Sequence, residues 1–229
     1  MDPHPTKAAA GADGLSLRER KKRQTRERIS GVATRLFALR GFDKVTVAEV
    51  AEAAEVSTMT VFNHFARKED LYLDRIPEAL ALFTRAVRER RPGETAAAPV
   101  RRLFLELTEA RHPLGGLGDT FPAFWRVILD SPALRARVRE GIEELEVALA
   151  QAVAETTGAR PGDPVPRLTA ALTVTAYRTV IATTMARLLA GEHADAAAPG
   201  HRALIETTFD ALEAALRALG GPARGPGTP

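Results

Sequence analysis

Cysteine is absent from this sequence, which excludes disulfide scaffolds, thiolate zinc centres, thiol nucleophiles and iron–sulfur clusters. Aromatic residues are scarce at 5%, and Ala, Leu, Arg and Glu outnumber the β-branched residues, so the composition favours helices over strands. No apolar run approaches the roughly 18 residues that a membrane span needs. The opening MDPHPTKAAAGADGLS has no apolar signal core, so residues 1–16 read as a disordered tail of a cytoplasmic protein. There is no phosphate-cradling glycine loop, no HExxH and no nucleophile elbow. The five histidines, His4, His64, His112, His193 and His201, are scattered without metal-ligand spacing. No catalysis, cofactor or metal is therefore expected. What is present is a 229-residue chain, 45% hydrophobic, with enough apolar material for one large domain or two small ones.

The charge is uneven. Residues 1–75 carry 14 Lys/Arg against 11 Asp/Glu, whereas residues 76–229 carry 18 of each sign. Within the first third, Leu17–Arg35 concentrates Arg18, Arg20, Lys21, Lys22, Arg23, Arg26, Arg28 and Arg35 against only Glu19 and Glu27. Such a run suits phosphate contacts, although a solvated helix face has the same composition.

Apolar residues recur at three- and four-residue steps from Ile29 through Phe37, predicting a helix from about Leu17 that stops at Gly41. Thr46–Glu49 (TVAE) is a capping box opening a two-turn helix with Val47, Val50, Ala51 and Ala54. Ser57 is a second N-cap, opening a short helix with Val61, Phe62 and Phe65. The RKED segment predicts a fourth helix running on to the RRPG segment. Further helices are expected over residues 96–110, 124–129, 132 to about 153, 168–189 and 201–219, with breaks at the Gly/Pro-rich segments between them. Residues 220–229 read as a flexible end. The fold class is all-α.

Two short helices joined by EVS inside a basic three-helix region form a helix-turn-helix, whose second helix would enter a major groove. Val61 and Phe65 face the small core, leaving Thr58, Met59, Thr60 and Asn63 outward, where hydroxyls and an amide can bond base edges or phosphates. A solvated helix without a partner is the competing reading.

The stretch Thr25–Asp74 resembles the DNA-binding domain of the TetR family of bacterial repressors. The resemblance rests on Leu36–Phe37, Gly41–Phe42, Thr46, Ala51/Ala54, Val56–Ser57, Phe62, His64–Phe65, Lys68–Glu69 and Leu71, in order and spacing. It implies that Thr46 and Lys68 bond phosphates and that His64 lies near the DNA backbone. The candidate DNA-contacting residues are then Arg20, Lys21, Lys22, Thr46, Ser57, Thr58, Met59, Thr60, Phe62, Asn63, His64 and Lys68. Two departures stand out. The family usually has Gly where this chain has Glu55, and Tyr where it has Phe62. Each hydrogen bond to the DNA backbone forgone in this way costs on the order of 1 kcal/mol, for which the basic approach from Arg18 to Arg28 is the expected compensation.

The resemblance divides the chain into a DNA-binding domain over residues 17–66 and a ligand-binding and dimerisation domain over residues 67–219. The two last long helices are too apolar for solvent on all sides, which fits a homodimer built as a four-helix bundle. Phe124–Leu149 resembles a C-terminal domain class of actinobacterial TetR-family regulators, the mycofactocin-regulator type, which implies a small hydrophobic or acyl-CoA-like effector. The candidate pocket residues are Phe121, Phe124, Trp125, Thr175, Tyr177, Arg178 and Met185, with Arg178 either meeting a ligand anion or paired with a buried acid. The implied partners are double-stranded operator DNA, a second copy of the chain and the effector, with no membrane. The reading is a dimeric repressor released from its operator by that effector; a DNA-binding regulator without a small-molecule ligand is the alternative.

Overall fold

The computed structural model describes residues 16–220, and every described element is helical. The expected terminal segments lie outside those residues except for Ser16 and Gly220. The chain divides into two compact units with the boundary between Tyr72 and Leu73, six residues beyond the expected position. The extra residues belong to the first unit because the 3-10 turn Glu69–Leu71 buries Leu71 and Tyr72, with Tyr72 stacked edge-on to Phe37 at 6.0 Å.

The first unit contains α1 (Leu17–Arg40), α2 (Val47–Ala53) and α3 (Thr58–His64). Ser16 caps α1 in a capping box with Glu19, and Gly41 ends it at φ +86°, where a side chain would be strained. Only the second half of α1 meets the core, through Ile29, Val32, Ala33 and Phe37. These pack with Phe42, Val50, Ala51, Val61 and Phe65, so the unit is built around three phenylalanines and small aliphatics. Residues 17–24 of α1 are nearly all exposed and polar.

The second unit contains α4 (Ile76–Arg88), α5 (Ala97–Glu109), α6 (Phe121–Asp130), α7 (Pro132–Thr157), α8 (Val165–Leu189) and α9 (Ala194–Gly220). Its main core joins Phe83, Phe104, Leu149, Val174, Ile205 and Phe209, and a smaller cluster lies around Leu117, Phe121 and Leu188. Two expectations are corrected here. The helix predicted from the RKED segment onward is broken, and α4 begins at Ile76. Pro77 has no N–H to continue a helix from Leu73 and its ring would collide with that carbonyl, so it sits in the first turn of a new helix instead. Conversely, the last helix starts seven residues before the expected His201 and carries Pro199 inside it. Ala194 and Ala197, both buried against the Leu117–Leu188 cluster, hold those early turns in place despite the one backbone bond that proline forgoes.

Candidate nucleic-acid interface and effector site

Thr46 and Ser57 begin the two short helices and are held by their own caps. The Thr46 amide donates to Glu49 Oε2 at 2.7 Å, the Glu49 amide donates to Thr46 Oγ1 at 3.2 Å, and Arg40 Nη2 donates to Glu49 Oε1 at 2.7 Å. The Thr46 amide first, then Arg40 and the Thr46 hydroxyl, which donates to Oε2 at 2.8 Å, pull the Glu49 carboxyl down to about 2. At α3 the Thr60 amide donates to Ser57 Oγ at 3.0 Å, and the hydroxyls of Ser57 and Thr60 share a further bond of 2.8 Å. Both hydroxyls thus serve the helix start, while keeping lone pairs or a rotatable proton for an outside partner.

The outer face of α3 is unusually apolar. Met59 is 69% exposed and Phe62 50%, beside the exposed Thr58 and Asn63. Glu55, in the turn between the helices, has φ +52°, the left-handed backbone that glycine adopts without strain. Beside α3, the Arg26 guanidinium donates to the His64 carbonyl and lies 4.1 Å over the Phe65 ring. That contact ties the basic helix to the end of α3. Burial, then Lys22 and Arg26, lower the pKa of His64, which favours the neutral ring, whose N–H can donate to a phosphate. Arg20, Lys21 and Lys22 extend along the exposed start of α1.

Lys68 has a structural task that sequence reasoning missed. Its Nζ donates to the Phe42 carbonyl at 2.7 Å and sits 4.2 Å from the Phe42 ring centroid. Burial lowers its pKa, against the pull of Asp43 and Glu69. Two ammonium protons remain for a phosphate.

In the second unit the seven candidate pocket residues separate into three groups. Phe121, Trp125 and Met185 come together in the small cluster with Leu117, Ile181 and Leu188, and Phe124 stacks edge-on to Trp125. The Trp125 indole N–H is buried there without a hydrogen-bond partner. Tyr177 belongs to the main core, between Phe83 and Phe104 at 5.0 and 4.8 Å, with its hydroxyl donating to the Leu114 carbonyl at 2.9 Å. Thr175 and Arg178 are corrected: both lie on the exposed face of α8, so Arg178 neither faces the cluster nor pairs with a buried acid. The helical period explains this, since Val174, Ala176 and Val180 take the inward positions around them.

His201 is the polar residue that the sequence did not flag. It is fully buried, with Nδ1 2.7 Å from the Thr184 hydroxyl and Nε2 2.9 Å from the Gly115 carbonyl. The carbonyl can only accept, so Nε2 carries the proton and Nδ1 accepts from Thr184. Burial lowers its pKa, keeping the ring neutral. Around it the turn at Gly115–Gly116 approaches so closely that a Cβ on Gly115 would stand 2.7 Å from the Leu107 carbonyl.

Comparison with known proteins gives a consistent picture. The sequence pattern of "Bacterial regulatory proteins, tetR family" matches residues 29–74, and that of the "MftR C-terminal domain" matches residues 124–217. The HTH-type transcriptional regulator TcmR of Streptomyces glaucescens is 34% identical over 149 residues, which span 64% of this chain and 66% of that protein. Among solved structures, GusR of Salmonella enterica superposes with a TM-score of 0.51 at 19% identity, over 85% of this chain and 96% of that one. NalD of Pseudomonas aeruginosa, the secondary repressor of the MexAB-OprM multidrug efflux pump, does so with a TM-score of 0.52 at 18% identity, over 82% and 96%. At those identities the structural likeness concerns the fold.

Proposed function

The chain belongs to the TetR family of bacterial regulatory proteins, and from that premise we propose that it is a dimeric, cytoplasmic transcriptional repressor that a small apolar effector releases from its operator. The observation that carries the reading is the outward face of α3. Thr58, Met59, Phe62 and Asn63 are all exposed on a helix whose inner side, Val61, is locked in the core. Solvent alone gives no reason to expose Met59 and Phe62, whereas a major groove offers thymine methyls and base edges to such a face. The basic start of α1 supplies the phosphate attraction that the face lacks.

Dimerisation is supported by α8 and α9, for a reason different from the one the sequence suggests. Most of their large apolar residues serve their own core, Val165 and Leu168 at the start of α8 being exposed, and each helix carries a run of small exposed residues: Thr179, Ala182, Thr183 and Ala186 on α8, Ala211, Ala214, Ala215 and Ala218 on α9. Faces of that kind let helices from two copies approach closely in a four-helix bundle. For the effector, the Phe121–Trp125–Met185 cluster is adaptable and apolar, and its unpartnered indole N–H asks for an acceptor such as a carbonyl. An acyl-CoA thioester has that group. Ligand binding would act by favouring a state whose two recognition helices no longer match the groove spacing.

DNase footprinting on the DNA upstream of the gene tests the proposal. Two protected half-sites with centres about 34–36 Å apart are expected, with protection lost on adding one of a panel of acyl-CoA thioesters. Protection that no thioester disturbs would remove the effector and leave a regulator without a ligand. Absence of any protected site would remove the repressor.

A further inference from the structure

The second unit contains a cleft that shares no residue with the α6 cluster. It opens where the end of α4, the start of α5, the end of α7, the start of α8 and the last turns of α9 meet, and it holds about 520 Å³. That lies within the range of roughly 300–1,000 Å³ typical of small-molecule sites. Val153, Pro166 and Leu216, all buried, give it an apolar floor. Two arginines stand at its rim. Arg90 is anchored, its Nη2 donating to the Thr156 carbonyl at 3.1 Å, which leaves the rest of its fork available. Arg160 lines the same cleft, and its guanidinium has no hydrogen bond or ion pair among the described residues.

Thr169 supplies an independent indication. It is 5% exposed, it lines the cleft, and its hydroxyl bonds no described residue. The hydroxyl is therefore open to the cleft, where a ligand can reach it as a donor or an acceptor. The acid in the lining, Asp163, is already engaged, accepting from the Val165 amide at 2.9 Å at the start of α8. The lining therefore carries a net single positive charge above an apolar floor.

We propose that this cleft is a second ligand site, taking a small organic monocarboxylate with an apolar body. The carboxylate is held by the forks of Arg160 and Arg90, whose planar geometry suits two carboxylate oxygens. Thr169 donates a further hydrogen bond to one of those oxygens. The body of the ligand lies against Val153, Pro166 and Leu216. A phosphate dianion fits less well, because one net charge and an apolar floor do not balance two negative charges. Such a ligand ties the end of α4 to α8 and α9, so binding stabilises the second unit by mass action.

Calorimetric titration of the full chain with octanoate tests this, with octanamide as the uncharged control. The expected result is one octanoate per chain and at least tenfold weaker binding of octanamide. Arg160→Glu should weaken octanoate at least tenfold, and Thr169→Leu, which fills the cleft, should abolish binding. Thr169→Ser, which keeps the hydroxyl, should bind like the parent protein, and circular dichroism should show all three variants folded. Trp125 is the sole tryptophan, so its emission should stay unchanged as octanoate binds at the cleft. Equal affinity for octanoate and octanamide would overturn the proposal, as would no binding up to millimolar concentration. Binding that survives both disruptive variants and shifts Trp125 emission would place octanoate in the α6 cluster instead and overturn it too. DNA is not in the experiment, so its failure leaves the repressor reading untouched.

Discussion

At the scale of single residues, the informative positions are those that break a local rule. Glu55 takes a left-handed backbone at φ +52° with a side chain that disfavours it. Glu55→Gly should relieve that cost and raise unfolding stability by about 1 kcal/mol, as read by denaturant titration. Phe62 places an exposed ring on α3 without a hydroxyl. Phe62→Tyr should tighten DNA binding about fivefold, the effect of one net hydrogen bond worth about 1 kcal/mol, with stability unchanged. His201 is a different kind of exception, a buried imidazole satisfied on both nitrogens. Thr184→Val leaves Nδ1 without a donor and should cost about 1–3 kcal/mol in the same titration. Because burial holds the folded pKa of His201 below the usual 6.5, the unfolded chain takes up its proton first. Stability contributed by the neutral ring is complete above pH 6.5 and declines as pH falls below it; the slope should flatten in His201→Gln.

At the scale of elements, caps and periodicity were legible in the sequence and tertiary compensation was not. Thr46–Glu49 and Ser57 announce their helices because the capping residues act within one turn, and the structure has both caps. The Thr46–Glu49 box also has an acid limit. Glu49 has a folded pKa of about 2 against an ordinary 4.5, so its contribution is present above pH 4.5 and is lost as pH falls toward 2. A melting series from pH 5 to 2.5 should show that loss in the parent protein and a smaller one in Glu49→Gln. The start of α9 was hidden because Pro199 and Gly200 read locally as a stop. Only the burial of Ala194 and Ala197 against a distant part of the chain explains the continued helix. Candidate pocket residues were mixed for the same reason. The types at Thr175 and Arg178 suit a polar pocket, but which way they face depends on the phase of α8 against its neighbours, which its weakly polar sequence leaves undetermined. The Lys68–Phe42 bond spans 26 residues and left no local trace.

At the scale of the whole molecule, the small unit proposed to read DNA is followed by a larger helical unit that would pair with a second copy. If pairing runs through the small faces of α8 and α9, Ala211→Glu should shift sedimentation from dimer to monomer while leaving helical content intact. Operator affinity should then fall at least a hundredfold, because each half-site must be bound alone. The charge at the start of α1 enters the same balance. Reversing Arg20, Lys21 and Lys22 should reduce the slope of log affinity against log salt by up to about 0.9 for each phosphate that a chain no longer neutralises. The central claim, that the exposed face of α3 reads a specific operator, is tested most directly by fluorescence anisotropy. The parent protein and Asn63→Ala would be titrated against the upstream duplex and a scrambled duplex of equal length, across a salt series. The expected result is nanomolar binding to the upstream duplex, at least a thousandfold preference over the scrambled one at physiological salt, and loss of most of that preference in Asn63→Ala. Equal, salt-sensitive binding to both duplexes by the parent protein would show that the face does not read sequence, and would contradict the claim.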